Sequence, residues 1–162
     1  MAKRLLRDNN ENEEILRRNA DRIYKIAYLR TGNCHDAEDI VQEVCLRFIK
    51  YSPYFENDEH EKAWFIRTAL NRTNSFFTSA WKRRVVPLDE VIKSYDEMGD
   101  SEVLDAVMQL PKDISAAIHL FYYEDMSIKE ISEVMEKSES AIKSLLFRGR
   151  KLLKISLEET NR

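Results

Sequence analysis

Glycine and proline are scarce in this chain, with three of each in 162 residues. Gly32, Gly99 and Gly149 stand far apart, so no glycine-rich phosphate loop can be assembled. The same shortage leaves little material for the tight turns of a hairpin-built fold. Histidine is limited to His35, His60 and His119, and the two cysteines are Cys34 and Cys45. The segment HEKAW has Trp64 where a zinc hydrolase places its second histidine. No metal site and no other cofactor is therefore expected. Two cysteines without ligand spacing fit a reducing compartment. No apolar run reaches the length of a membrane span. The N-terminus, MAKRLLRDNNENEE, turns acidic where a signal peptide needs an apolar segment. These features point to a cytosolic protein with no membrane insertion of its own.

Helix formers dominate what remains. Hydrophobic residues make up 43% of the chain, enough for a core, and charged residues 34%. The expected fold is all-α. The formal net charge of −3 hides an uneven distribution: net +3 over residues 1–86, −5 over 87–102 and −1 over 103–162. An acidic connector thus separates a mildly basic half from a half whose bases gather in its last helix. Two small helical domains (1–86 and 103–162) and a flexible acidic linker (87–102) follow from this.

Ser127 to Lys154 reads as two helices joined by a short polar turn. Ile128, Ile131, Val134 and Met135 give the first a helical apolar stripe. Ile142, Leu145, Leu146, Leu152 and Leu153, with Gly149 among them, do so for the second. Lys143, Arg150, Lys151 and Lys154 lie opposite, flanked by Ser144 and Arg148. Ser127 followed by Glu130 forms a capping box. A helix-turn-helix needs this two-faced second helix, one face anchored and the other free for a major groove. An ordinary helical hairpin with a solvated basic face fits the same pattern.

Earlier in the chain, Glu11 to Arg30 is the first helix, with Asn9 or Asn10 as cap. Asp36 to Lys50 is the second, its apolar stripe being Ala37, Ile40, Val41, Val44, Cys45, Phe48 and Ile49. The third begins at Asp58 or Glu59 and ends near Trp81. It mixes Trp64, Phe65, Phe76, Phe77 and Trp81 with arginine, asparagine, serine and threonine. Aromatics can stack on unpaired bases, but five large rings also suit a core; Trp64 is assigned to the core. After the linker, a short helix from Glu102 to Gln109 with Ser101 as its candidate cap and a Leu110-Pro111 corner precede a helix from Lys112 or Asp113 to Glu124, with Ile114, Ile118, Phe121 and Tyr122 inward.

Three stretches in order resemble bacterial RNA polymerase sigma factors of the extracytoplasmic-function (ECF) group. They are DAEDIVQEVCLRF (Asp36–Phe48), KAWFIRTALN with SAWKRRVVPLDE (Lys62–Asn71 and Ser79–Glu90), and LPKDISAAIHLFYYEDMSIKEISEVM with AIKSLLFRGRKLL (Leu110–Met135 and Ala141–Leu153). The likeness spans roughly residues 11–155. It implies a non-catalytic protein that binds core RNA polymerase and directs initiation at promoters with −35 and −10 elements, helping to open the −10 DNA. Asp39, Gln42 and Glu43 would contact the core enzyme. Arg67, Asn71, Arg72, Asn74, Ser75, Lys82, Arg83 and Arg84 would face the −10 DNA. Ser138, Glu139, Ser140, Lys143, Ser144 and Phe147 would lie nearest the −35 bases, with Arg148, Arg150 and Lys151 mostly on phosphate. An anti-sigma factor is a further partner the resemblance implies. The sequence departs from the family at Glu136, where a turn glycine is usual, at Leu145, where a base is common, and at Ser75, often acidic. Two rivals are a stand-alone helix-turn-helix regulator, for which no dimer seam is evident, and a small helical enzyme, for which no nucleophile–base pair is evident.

Overall fold

A computed structural model describes residues 7–80 and 106–160, with side chains described over 7–75 and 106–154. Every regular element among them is helical, and they fall into two compact units. The linker assigned to 87–102, the start of the short helix before Leu110, and Lys82, Arg83 and Arg84 lie outside the described residues.

The first unit holds α1 (Asn9–Thr31), α2 (Cys34–Tyr51) and α3 (Asp58–Ala80). The cap of α1 is Asp8, not Asn9 or Asn10: its Oδ1 accepts from the Glu11 N–H at 2.7 Å. All three residues are good caps, and the helix starts at Asn9, two residues before the expected Glu11. Gly32, at φ +68°, ends α1 in a conformation that favours glycine. Ile15, Ile23, Ile26 and Ala27 bury one face of α1, which packs along α3 through Phe65, Ile66, Ala69 and Leu70. On α2, Ala37, Ile40, Val44 and Phe48 are buried. Ile49, at the end of the expected stripe, is 48% exposed instead. Phe48 anchors an aromatic cluster with Phe65 (centroids 5.4 Å), Trp64 (6.2 Å) and Phe55 (6.3 Å). Trp64 belongs to that cluster but is only half-buried; Phe65 carries the core position.

Two polar groups interrupt the apolar seam between α1 and α3, and both are satisfied. Glu61 accepts from Arg18 Nε and Nη2, each at 2.7 Å, and from the buried Asn19 amide at 2.8 Å. Burial pushes the Glu61 carboxyl upward, but the hydrogen bonds from Arg18 and Asn19 outweigh it and hold the group below its ordinary value. Farther along, Arg30 reaches Thr73 and Asn74.

The second unit comprises a last helical turn at residues 106–108, α4 (Lys112–Ile118), a π-helical turn (His119–Tyr123), α5 (Ile128–Met135) and α6 (Glu139–Thr160). The π turn alters the expected continuation of α4. It inserts one residue into the helical repeat, so Leu120 and His119 are buried while Tyr122, expected inward, is 55% exposed and Phe121 half-buried. Ser127 caps α5 with the reciprocal bonds to Glu130 that the sequence predicts. α6 crosses both α4 and α5. Gly149 is buried where α6 meets α4; a Cβ there would sit 2.7 Å from Ile118 Cγ1 and 2.9 Å from Ile114 Cγ2. Its value is close approach, and the small residue on the apolar stripe is the sequence signal for it. Leu152, counted on that stripe, is 41% exposed.

Candidate nucleic-acid interface

The joint between α5 and α6 determines what α6 can present. Glu136 takes the left-handed conformation, φ 56° and ψ 45°. The Lys137 N–H bonds to the Ser132 carbonyl at 3.0 Å, closing a Schellman-type end to α5. Glutamate therefore makes the turn that the resemblance assigns to glycine, at a cost of about 1 kcal/mol for a residue with a Cβ. Ser138 then starts α6: its Oγ accepts from the Ala141 N–H at 3.0 Å. Its hydroxyl oxygen is thus engaged in capping rather than held open.

From that start α6 has two distinct faces. Ile142, Leu145, Leu146 and Gly149 are buried, while Glu139, Ser140, Lys143, Ser144, Phe147, Arg148 and Lys151 are exposed. Leu145, a basic position in the resemblance, is 8% exposed and serves the core. Phe147 stands 65% exposed between Lys143 and Lys151. Arg150 is drawn to one side: its Nε donates to the Tyr122 hydroxyl at 2.5 Å, and its guanidinium lies 5.5 Å from the Phe121 ring centroid. The π turn, invisible in the sequence pattern, is what places Tyr122 there.

In the first unit, α2 exposes Asp39, Gln42 and Glu43, followed by Leu46 (68% exposed) and Ile49. The two apolar residues extend the polar stripe at helical spacing. On α3, Arg67, Asn71, Asn74 and Ser75 are exposed. Residues 67, 71 and 74 share one stripe by their i, i+4, i+7 spacing. Arg72 is turned away, its Nε donating to Glu43 Oε2 at 2.6 Å. A residue assigned to DNA and one assigned to polymerase therefore meet in an ion pair. Among the described residues no group of histidine, cysteine and acidic side chains is placed to hold a metal. His60 Nδ1 instead accepts from the Glu56 N–H at 3.1 Å. Cys34 and Cys45 form no disulfide, and burial pushes the Cys45 thiol upward, as suits a packing residue.

Sequence reading missed Arg18, Asn19, Arg30, Glu61 and Thr73. Their signal was their position: Asn19 and Arg30 fall on the apolar stripe of α1, Glu61 and Thr73 on that of α3. A polar residue on a buried stripe requires a partner.

The architecture defines a helical protein in two units, the second a helix-turn-helix with a basic, aromatic outer face. Comparison with known proteins makes this specific. The sigma-70 region 2 model matches residues 15–83 and the sigma-70 region 4 model residues 100–153. RNA polymerase sigma factor SigV of Bacillus subtilis is 30% identical over 139 residues, covering 83% of this chain and 83% of SigV. ECF RNA polymerase sigma factor SigM of the same organism is 28% identical over 152 residues, covering 88% of this chain and 92% of SigM. The fold is similar to that of the sigma factor RpoE of Bartonella quintana, solved with the anti-sigma factor NepR, with a TM-score of 0.67 at 19% identity over 90% of this chain and 96% of that one. The chain belongs to the ECF group of RNA polymerase sigma factors. It directs promoter-specific transcription initiation through regions 2 and 4, and the family is non-catalytic. Among the described residues, no helix is long and apolar enough to cross a membrane.

Proposed function

We propose that the two units divide promoter recognition between them. Residues 1–86 would bind core RNA polymerase and the opened −10 strand, 87–102 would link, and 103–162 would bind the −35 element. The observation that carries this reading is the outer face of α6, where Phe147 stands in solvent between lysines while Ile142, Leu145, Leu146 and Gly149 are buried on the opposite face. A large exposed aromatic on a basic helix face suits contact with base edges and thymine methyl groups.

In this reading Ser138, Glu139, Ser140, Lys143, Ser144 and Phe147 approach the −35 bases, and Arg148, Arg150 and Lys151 hold phosphates. The stripe of Arg67, Asn71 and Asn74, with Ser75 at its edge, meets the −10 strand, joined by Lys82, Arg83 and Arg84. Asp39, Gln42 and Glu43 dock on core polymerase, where Leu46 and Ile49 supply apolar area. Arg72, assigned to the −10 DNA in this reading, is paired with Glu43 of the proposed polymerase contact. The protein works in the cytoplasm, and an anti-sigma partner, as on the Bartonella protein, is in keeping with this reading.

The test separates the two surfaces. Lys143→Ala should weaken promoter binding by holoenzyme about tenfold and leave capture of core polymerase intact. Replacing Asp39 and Glu43 together with lysine should abolish co-purification with core. Equal loss of both properties in the Lys143 variant, or unchanged co-purification in the double variant, contradicts the assignment.

A further inference from the structure

Asn74 ends a chain of hydrogen bonds that begins inside the first unit. Arg30, 6% exposed near the end of α1, donates from Nε to Thr73 Oγ1 at 2.8 Å and from Nη2 to Asn74 Oδ1 at 2.6 Å. Thr73 is fully buried, and its hydroxyl donates to the Leu70 carbonyl at 2.7 Å. The hydroxyl proton is thus committed, and the oxygen is left to accept from Arg30.

Chemistry fixes the polarity of this chain. A guanidinium has only donors, so the amide atom of Asn74 that faces it must be oxygen. An exposed asparagine can ordinarily turn either its oxygen or its nitrogen to a ligand. Here the oxygen is held by a buried arginine, and Asn74 itself is exposed. The NH2 is the end left to the outside, on the stripe shared with Arg67 and Asn71.

We propose that Asn74 is a specificity-determining residue: its NH2 donates to a hydrogen-bond acceptor on an unpaired base of the opened −10 strand, and Arg30 is the positioning residue that keeps the amide in the donor orientation. This rests on the reading that the α3 stripe faces the −10 DNA. A donor held in one orientation discriminates against a base edge that offers another donor at the same place, because the two would remain unpaired. A side chain able to flip would accept either edge. The arrangement also explains why a buried arginine reaches past Thr73 to a residue at the surface.

Asn74→Asp makes the test. It keeps an oxygen for Arg30 and removes the outward donor. Holoenzyme would be assembled from core polymerase and each variant, and promoter opening measured on DNA in which each −10 base of the non-template strand is in turn made abasic. With the natural chain, loss of one particular base should cost about tenfold in opening. With Asn74→Asp that position should cost nothing further, while penalties at the other positions persist and the melting temperature does not fall. The added negative charge lowers opening at all positions alike, so the position-specific change is the readout. Arg30→Met, assayed well below its melting temperature, should lose the same discrimination and still capture core polymerase. An Asn74→Asp profile identical to that of the natural chain apart from a uniform loss overturns the proposal and leaves the sigma-factor reading in place. An unchanged profile in Arg30→Met overturns the positioning role. Failure of the natural chain to open any promoter removes the −10 assignment itself.

Discussion

Replacing Gly149 with alanine sets two known effects against each other. A methyl group at this position would lie 2.7 Å from Ile118 Cγ1, 2.8 Å from Ile118 Cδ1 and 2.9 Å from Ile114 Cγ2. Carbon atoms pack comfortably only at about 3.5–4.0 Å, so α4 and α6 must separate or both isoleucines must move. Overpacking of this kind costs about 1–3 kcal/mol. Alanine in mid-helix returns about 1 kcal/mol relative to glycine. Ile118 is 3% exposed and Ile114 5%, so neither has open space to turn into. The overpacking cost should therefore fall in the upper half of its range, about 2–3 kcal/mol, and prevail with a net loss of about 1–2 kcal/mol. For a unit of this size that corresponds to a fall in melting temperature of about 5–15 °C. Circular dichroism melting of the full chain, with hydrogen exchange of the α6 amides to locate the loss, measures it. Adding Ile118→Val removes the Cδ1 contact, so the double variant should be more stable than the sum of the two single losses. A melting temperature for Gly149→Ala at or above that of the natural chain would refute the close approach of α4 and α6.

Arg18, Glu61 and Glu136 each give a further outcome. Glu61 is held below its ordinary carboxyl value, so its contribution to stability is full above that value and is lost as pH falls through the lowered one. Acid unfolding of the first unit should accordingly shift to higher pH in Arg18→Ala, and Glu61→Ala should cost about 2 kcal/mol at neutral pH through the buried Asn19 donor it leaves short; an acid midpoint unmoved in Arg18→Ala would count against the pairing. Glu136→Gly should raise stability by up to about 1 kcal/mol in chemical denaturation, because glycine adopts φ 56° without the Cβ penalty; a loss of stability there would mean that the glutamate side chain contributes more than its backbone costs.

Much of this fold could be read from periodicity. Ile40, Val44 and Phe48 repeat at helical spacing and are buried together, and Ser127 with Glu130 announces the start of α5. The outer face of α6 was legible because Lys143 and Lys151, flanked by Ser144 and Arg148, lie opposite a packed stripe, whereas Phe147 came from the family resemblance alone. What could not be read depends on backbone detail or on distant partners. The π turn changes which of Leu120, Phe121 and Tyr122 is inward, and no spacing rule reports an inserted residue before the backbone is known. Arg18 looks like a solvated charge, and Arg30 sits on a buried stripe without an evident partner, because Glu61 and Thr73 lie 43 residues away. Arg72 sits among the α3 residues that the resemblance assigns to DNA, yet its helical angle turns it to Glu43 on α2. Ile49 and Leu152 continue apolar stripes past the point where a neighbouring helix is present to cover them.

As a sigma factor, this chain directs promoter-specific initiation by a polymerase. In vitro transcription from a promoter library, with core RNA polymerase and this chain, tests it most directly. Transcripts should start at a fixed distance from a paired −35 and −10 sequence, require both, and vanish when either core or this chain is omitted. Equally tight and specific promoter binding by the chain without core, together with no transcripts in its presence, would contradict it.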